Sequence, residues 1–205
     1  MKILCLSIGV AFSFGVAVAS DVTVPTARDA VGFANAKFPS GAQNQVLRIE
    51  GTHSDSDMRP REWDVTVYDN SRVNNAATIR VKDGVLTSVG TPLRLFEDAR
   101  WSNFDRNFTG YEKGEVINTD RWKLDSPAAF SKAMADPALA NVQVTEVRMT
   151  LRKLSVGDVP ALWRVYLRAR SRANPGRESW VGYVDLSAET GEIVRNELRV
   201  GKLIY

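Results

Sequence analysis

The sequence predicts an α+β fold of two tandem units, each a single helix packed on an antiparallel meander sheet. Three observations carry this expectation. The stretches WDVTVYD, beginning at Trp63, and WRVYLRA, beginning at Trp163, write nearly the same strand 100 residues apart. A helix start stands equally far before each, with Thr26 37 residues ahead of Trp63 and Ser126 37 ahead of Trp163. After each helix the apolar period falls from about 3.6 to about 2, the change that separates an amphipathic helix from half-buried strands.

Ahead of the first unit, Met1 and Lys2 precede an apolar block from Ile3 to Val18 that closes on Ala17-Val18-Ala19. A basic start, an apolar middle and small residues before a cut predict a signal peptide over residues 1–19, with cleavage after Ala19 and Ser20 as the alternative. The block is short for a membrane span, polar Asp21 follows it, and no second long apolar run appears. Cys5 lies at the front of the block, away from its cleavage end, so a lipid-modified cysteine is not expected. The mature chain would then be periplasmic or extracellular, free of cysteine, and stabilised by apolar burial instead of disulfides. The first unit is placed at 20–92, an aromatic-rich connecting segment at 93–123 and the second unit at 124–205.

The net charge is +3, with 11 basic against 11 acidic residues up to Arg100 and 16 against 13 beyond it. So small an excess gives no warrant for nucleic acid as a partner, where a concentrated basic stripe is expected.

In the first unit Thr26 caps a helix, Asp29 is its acidic partner three residues on, and Ala27, Ala30, Val31, Ala34 and Phe38 form one apolar stripe. Pro39-Ser40-Gly41 stops it. In the second, Asp125-Ser126-Pro127 supplies a cap with proline at the first helical position, and Ala129, Phe130, Ala133 and Met134 make the stripe before Pro137 ends it. Trp63, Val65 and Val67 then alternate with Asp64, Thr66 and Tyr68, as Trp163, Val165 and Leu167 do with Arg164, Tyr166 and Arg168. Each unit continues with a second strand, AATIRV or WVGYVDL, then a glycine turn at Lys82-Asp83-Gly84 or Ala188–Glu192, then a last strand, VLTSV or IVRNELRV.

A helix followed by a strand opening on an aromatic and by YVDLSAETGEIV resembles the PepSY domain family, in which an aspartate precedes a Thr-Gly-Glu turn. Asp185, Thr190, Gly191 and Glu192 are the matching positions, and the resemblance spans about Asp125 to Leu198. The first unit, with Lys82-Asp83-Gly84 in place of the longer turn, matches in outline. The resemblance implies a cystatin-like sheet wrapped on one helix. It also implies non-enzymatic roles, among them inhibition of secreted peptidases and sensing or scaffolding at the envelope.

The connecting segment carries Phe96, Trp101, Phe104, Phe108, Tyr111 and Trp122, a density unlike that of a linker. Such rings either seal the open ends of the two units against each other or stand exposed as a platform for sugar or peptide. Asn107-Phe108-Thr109 has the form of a glycosylation acceptor and decides nothing by itself.

No catalytic, cofactor or metal constellation emerges. The single histidine, His53, lies near Asp55 and Asp57 in a polar stretch read as an interstrand loop. A calcium loop would need an oxygen donor where Arg59 stands, glycine at Pro60 and glutamate at Thr66, and zinc would need ligands from elsewhere. No Gly-x-Ser-x-Gly elbow occurs, and a serine nucleophile would have only His53 as base. The turn glycines open no helix that could cradle a phosphate.

One surface suggests a role. Alternation turns Arg164, Tyr166, Arg168, Arg170 and Arg172 outward from the Trp163 strand, and Arg148 and Arg152 outward from VRMTLRK. Paired with neighbours such as Glu146 and Glu178, these are a solvated face. Otherwise they meet an acidic protein, for example a secreted peptidase, or an anionic envelope polymer. The expected function is an exported, non-enzymatic binding or inhibitory module of PepSY-like type. The alternative is a small envelope hydrolase using a carboxylate pair, which converging acids in a pocket would favour.

Overall fold

A computed structural model describes residues 25–54, 57–90 and 111–204. The expected signal peptide, Asp55, Phe96, Trp101, Phe104 and the Asn107-Phe108-Thr109 stretch lie outside the described residues, as does the side chain of His53.

Two helices form where caps and stripes place them. Helix α1 (Ala27–Asn35) starts in a capping box: Thr26 Oγ1 accepts from Asp29 N at 3.2 Å and the Asp29 carboxylate accepts from Thr26 N at 2.9 Å. Its buried residues are Ala27, Ala30, Val31 and Ala34, and Phe38 beyond its end is buried with them. Helix α2 (Ser126–Met134) is capped by Asp125, which accepts from Ser126 N at 2.6 Å. Pro127 therefore sits one position further into the helix than expected, still within the first turn, where an N–H has no helical acceptor. Ala129 and Ala133 are buried; Phe130 and Met134 pack against the core from its margin.

Each helix leads into four antiparallel strands. After α1 come β1 (Val46–Ser54), β2 (Pro60–Tyr68), β3 (Ala76–Lys82) and β4 (Val85–Gly90); after α2 come β5 (Val142–Arg152), β6 (Leu162–Ser171), β7 (Glu178–Ser187) and β8 (Ile193–Asn196). The tight turn between β3 and β4 places Asp83 and Gly84 at φ 48° and 76°, left-handed values that aspartate tolerates and glycine adopts freely.

The expectation of two separate cystatin-like units, each a helix on its own sheet, is overturned. The strands form one sheet in the order β4-β3-β2-β1-β5-β6-β7-β8, and among the described residues strand far outweighs helix. The join is an antiparallel pairing of β1 with β5 through Arg48↔Arg152, Ile49↔Leu151, Glu50↔Thr150 and Gly51↔Met149. The physical reason lies in the edges. The first strand of a free meander exposes a row of unpaired N–H and C=O groups, and pairing β1 with β5 satisfies both rows at once.

The join merges the cores. Both helices pack on one face of the sheet, where Ile79, Val65, Ile49, Leu151, Trp163 and Leu186 follow one another across strands in register, all buried. Gly51 permits this packing, because a Cβ there would stand 2.5 Å from the ring of Trp63. Trp122 from the connecting segment completes the cluster, its ring centroid 6.2 Å from that of Trp163. Tyr111 instead packs with Leu47 and Ala76 in a smaller cluster.

Candidate functional site

The face of the sheet opposite the helices is polar, and strand register determines which groups meet on it. Arg80, Asp64, Glu50, Thr150, Arg164 and Asp185 follow one another in a single row across six strands. Arg80 forks onto Asp64 at 2.7 and 2.8 Å and lies 3.2 Å from Glu62; the bond to Asp64 raises its pKa above the ordinary arginine value. Glu50 lies 3.8 Å from Arg48. Glu50, Glu62 and Asp64 on this half of the sheet thus each lie near a guanidinium group.

The seven side chains expected to form one outward face do not share one fate. Arg164 points away from the helices but is only 1% exposed. Its Nε and Nη2 donate to the two oxygens of Asp185 at 2.7 and 2.8 Å, and its guanidinium lies 3.9 Å from the Tyr183 ring centroid. Burial, the largest single influence, disfavours the cation, but Asp185 and Tyr166 together outweigh it through hydrogen bonding and charge and hold the pKa above the ordinary value. Asp185, one of the positions carrying the PepSY resemblance, is therefore the buried counter-ion of Arg164. Arg152 is also buried, at the seam opposite Arg48.

The other five cluster toward the far ends of β5 and β6. Tyr166 meets Tyr183 edge to face at 5.6 Å. Arg148 and Arg168 keep 53% and 40% of their side chains exposed. Both reach Glu146, at 3.0 and 3.4 Å, and Arg168 lies 3.2 Å from Glu178. Arg170 is held through Nε by Gln143 at 2.9 Å, and Arg172 through Nε by the Val142 carbonyl at 3.1 Å.

Trp180, in the strand WVGYVDL, belongs with them. It is 41% exposed, stands opposite Arg168, and lies under the guanidinium of Arg148 with 4.9 Å to the ring centroid. A bulge in β7 explains its direction. The register slips between Leu167↔Gly182 and Arg168↔Trp180, so Val181 turns into the core while Trp180 turns outward. Gly182 takes φ +121°, and a Cβ there would stand 2.1 Å from the Glu197 carbonyl oxygen. WVGYV carries the signal in retrospect, since a glycine inside a strand pattern marks a bulge or close backbone approach.

Among the described residues no three His, Cys, Asp or Glu side chains group as a metal site requires, and no helix is long and apolar enough to cross a membrane. The chemistry the open face offers is recognition: fixed guanidinium forks beside an exposed indole. No protein-family model matches this chain, and neither a curated protein nor a solved structure matches it.

Proposed function

We propose that this chain is an exported, non-enzymatic binding module that meets an anionic partner through the open face of β5–β7. The observation that carries the reading is Trp180, held exposed beneath Arg148 and opposite Arg168 on the face opposite the described helices. An indole left in water beside a guanidinium cluster costs apolar exposure that a bound partner would relieve, and Trp and Arg are the residues that dominate binding surfaces. The resemblance of Asp185 and the Thr190-Gly191-Glu192 turn to PepSY domains points the same way, toward binding over catalysis. An acidic protein, such as a secreted peptidase, and an anionic envelope polymer both offer the required charge.

The test is binding of the purified protein to a panel of polyanions, with Arg148→Glu/Arg168→Glu as the comparison. The parent should bind at low salt and weaken as salt rises, while the double reversal should not bind. Equal binding by both proteins would remove this face from the function. Export is tested separately by intact mass of the periplasmic protein, which should begin at Ser20; protein retaining Met1 in the membrane fraction would defeat that part of the proposal.

A further inference from the structure

Resting on the reading of this face as a binding site, we infer that its ligand is a linear acidic polysaccharide, a chain of uronate sugars, and not an acidic protein. Two features of the site select that chemistry. The first is regularity. Outward residues of one strand repeat about every 7 Å, so Arg168 and Arg170, with Arg172 just past the strand end, form a cationic row along β6. A polymer carrying one carboxylate per repeat presents charge in the same one-dimensional way, whereas a folded protein scatters its carboxylates over a curved surface.

The second is the indole. A carboxylate needs only a donor, but Trp180 adds a flat apolar surface at the side of that row, level with Arg168. A pyranose ring has an apolar face of C–H groups and a polar rim, so it can lie against the indole surface that Arg148 leaves exposed while its carboxylate reaches a guanidinium. An aspartate or glutamate side chain has no such face to offer.

The arginines are prepared for this. Arg148 and Arg170 are each oriented through Nε, by Glu146 and Gln143, and their terminal nitrogens have no hydrogen-bond partner among the described residues. A guanidinium so fixed presents its remaining donors at little further cost in side-chain entropy. Four arginines, Arg148, Arg168, Arg170 and Arg172, face two glutamates, Glu146 and Glu178, so the platform keeps a cationic excess after its internal pairing.

The experiment measures affinity of the purified full chain for polygalacturonate, neutral dextran and poly-L-glutamate at low salt. Polygalacturonate should bind and dextran should not. Trp180→Ala should weaken polygalacturonate binding roughly tenfold, the scale of a lost stacking contact, and Trp180→Tyr should restore most of it. Arg148→Glu/Arg168→Glu should abolish binding, while Lys37→Glu/Lys132→Glu, an equal charge change on the helix side, should leave it unchanged. Should the double reversal fail to fold, Arg148→Gln with an unaltered melting curve gives the same reading. If poly-L-glutamate binds as tightly as polygalacturonate and Trp180→Ala is neutral, the partner is an acidic protein; the polysaccharide inference falls and the binding-module reading stands. If neither polyanion binds, both fall.

Discussion

Trp63 and Trp163 meet edge to face with ring centroids 6.4 Å apart, and each gives its indole N–H to the carbonyl of the residue just before a helix cap. Trp63 donates to Pro25, ahead of Thr26, at 2.9 Å, and Trp163 donates to Leu124, ahead of Asp125, at 2.8 Å. Each ring thus ties its strand to the start of a helix, and the contact between the rings ties the two halves to each other. The helix starts are joined as well: Ala27 N donates to Ser126 Oγ at 2.9 Å, and Arg28 donates to the Trp122 carbonyl. Two meanders sharing this junction have one core.

Replacing either Trp63 or Trp163 by Ala should therefore destabilise the whole protein by roughly 3 to 5 kcal/mol. Phenylalanine loses the indole N–H bond: at Trp63 this leaves the Pro25 carbonyl short of a donor and should cost about 1 to 3 kcal/mol, whereas at Trp163 the Leu124 carbonyl keeps the Trp122 indole N–H at 2.7 Å, so the cost should be smaller. Chemical denaturation of the four variants checks both figures. A midpoint unmoved by Trp163→Ala would remove this residue from the core.

The shared core predicts one cooperative transition. Calorimetric and van't Hoff enthalpies of unfolding should agree, and fluorescence and far-ultraviolet dichroism should give one midpoint. A fragment of residues 124–205 loses the β1 partner of β5 and the Trp63 contact, so it should lack a cooperative melt. Two resolved transitions in the full chain would show that the halves fold independently.

Arg164 and Asp185 are the least exposed ion pair described, at 2% and 3% of their side chains. Removing one partner strands a buried charge, so Arg164→Met or Asp185→Leu alone should cost roughly 3 to 5 kcal/mol. The double change Arg164→Met/Asp185→Leu should recover most of that loss. The recovery, read as a double-mutant cycle, separates a buried pair from a binding residue; charge reversal at Arg164 would report unfolding and not partner loss.

Asp69 gives the fold an acid-sensitive point. Its Oδ1 accepts from Ser71 Oγ at 2.6 Å and from Ser71 N at 3.0 Å, and these bonds, with Arg72 nearby, lower its pKa below the ordinary 3.8. A carboxylate whose folded pKa is depressed contributes stability above its unfolded pKa and loses it as pH falls through the folded one. Asp69→Asn should thus be less stable than the parent at pH 6, with the gap closing below pH 3.8. A gap constant from pH 6 to pH 2.5 would assign the effect to geometry and not to charge.

Local structure is legible in the residues alone. The Thr26 capping box, the Ala27/Ala30/Val31/Ala34 stripe, the Lys82-Asp83-Gly84 turn and the alternation at Trp63 and Trp163 each depend on residues close in the chain, and each is where the pattern puts it. Alternation also assigned the faces correctly, since Arg164, Arg168 and Arg170 do stand opposite the helices. It could not say which strand lies beside which, because period 2 is the same for an edge strand and an inner one. Only the tertiary structure paired β1 with β5 and made one sheet of two meanders. The same limit separates the arginines. Arg164 is closed in because register sets Asp185 directly across from it and Tyr183 over it, while the bulge just past the Leu167↔Gly182 pair turns Trp180 out beside Arg168. Burial of an outward side chain depends on what the neighbouring strands place around it, and that is decided by contacts between residues far apart in the chain.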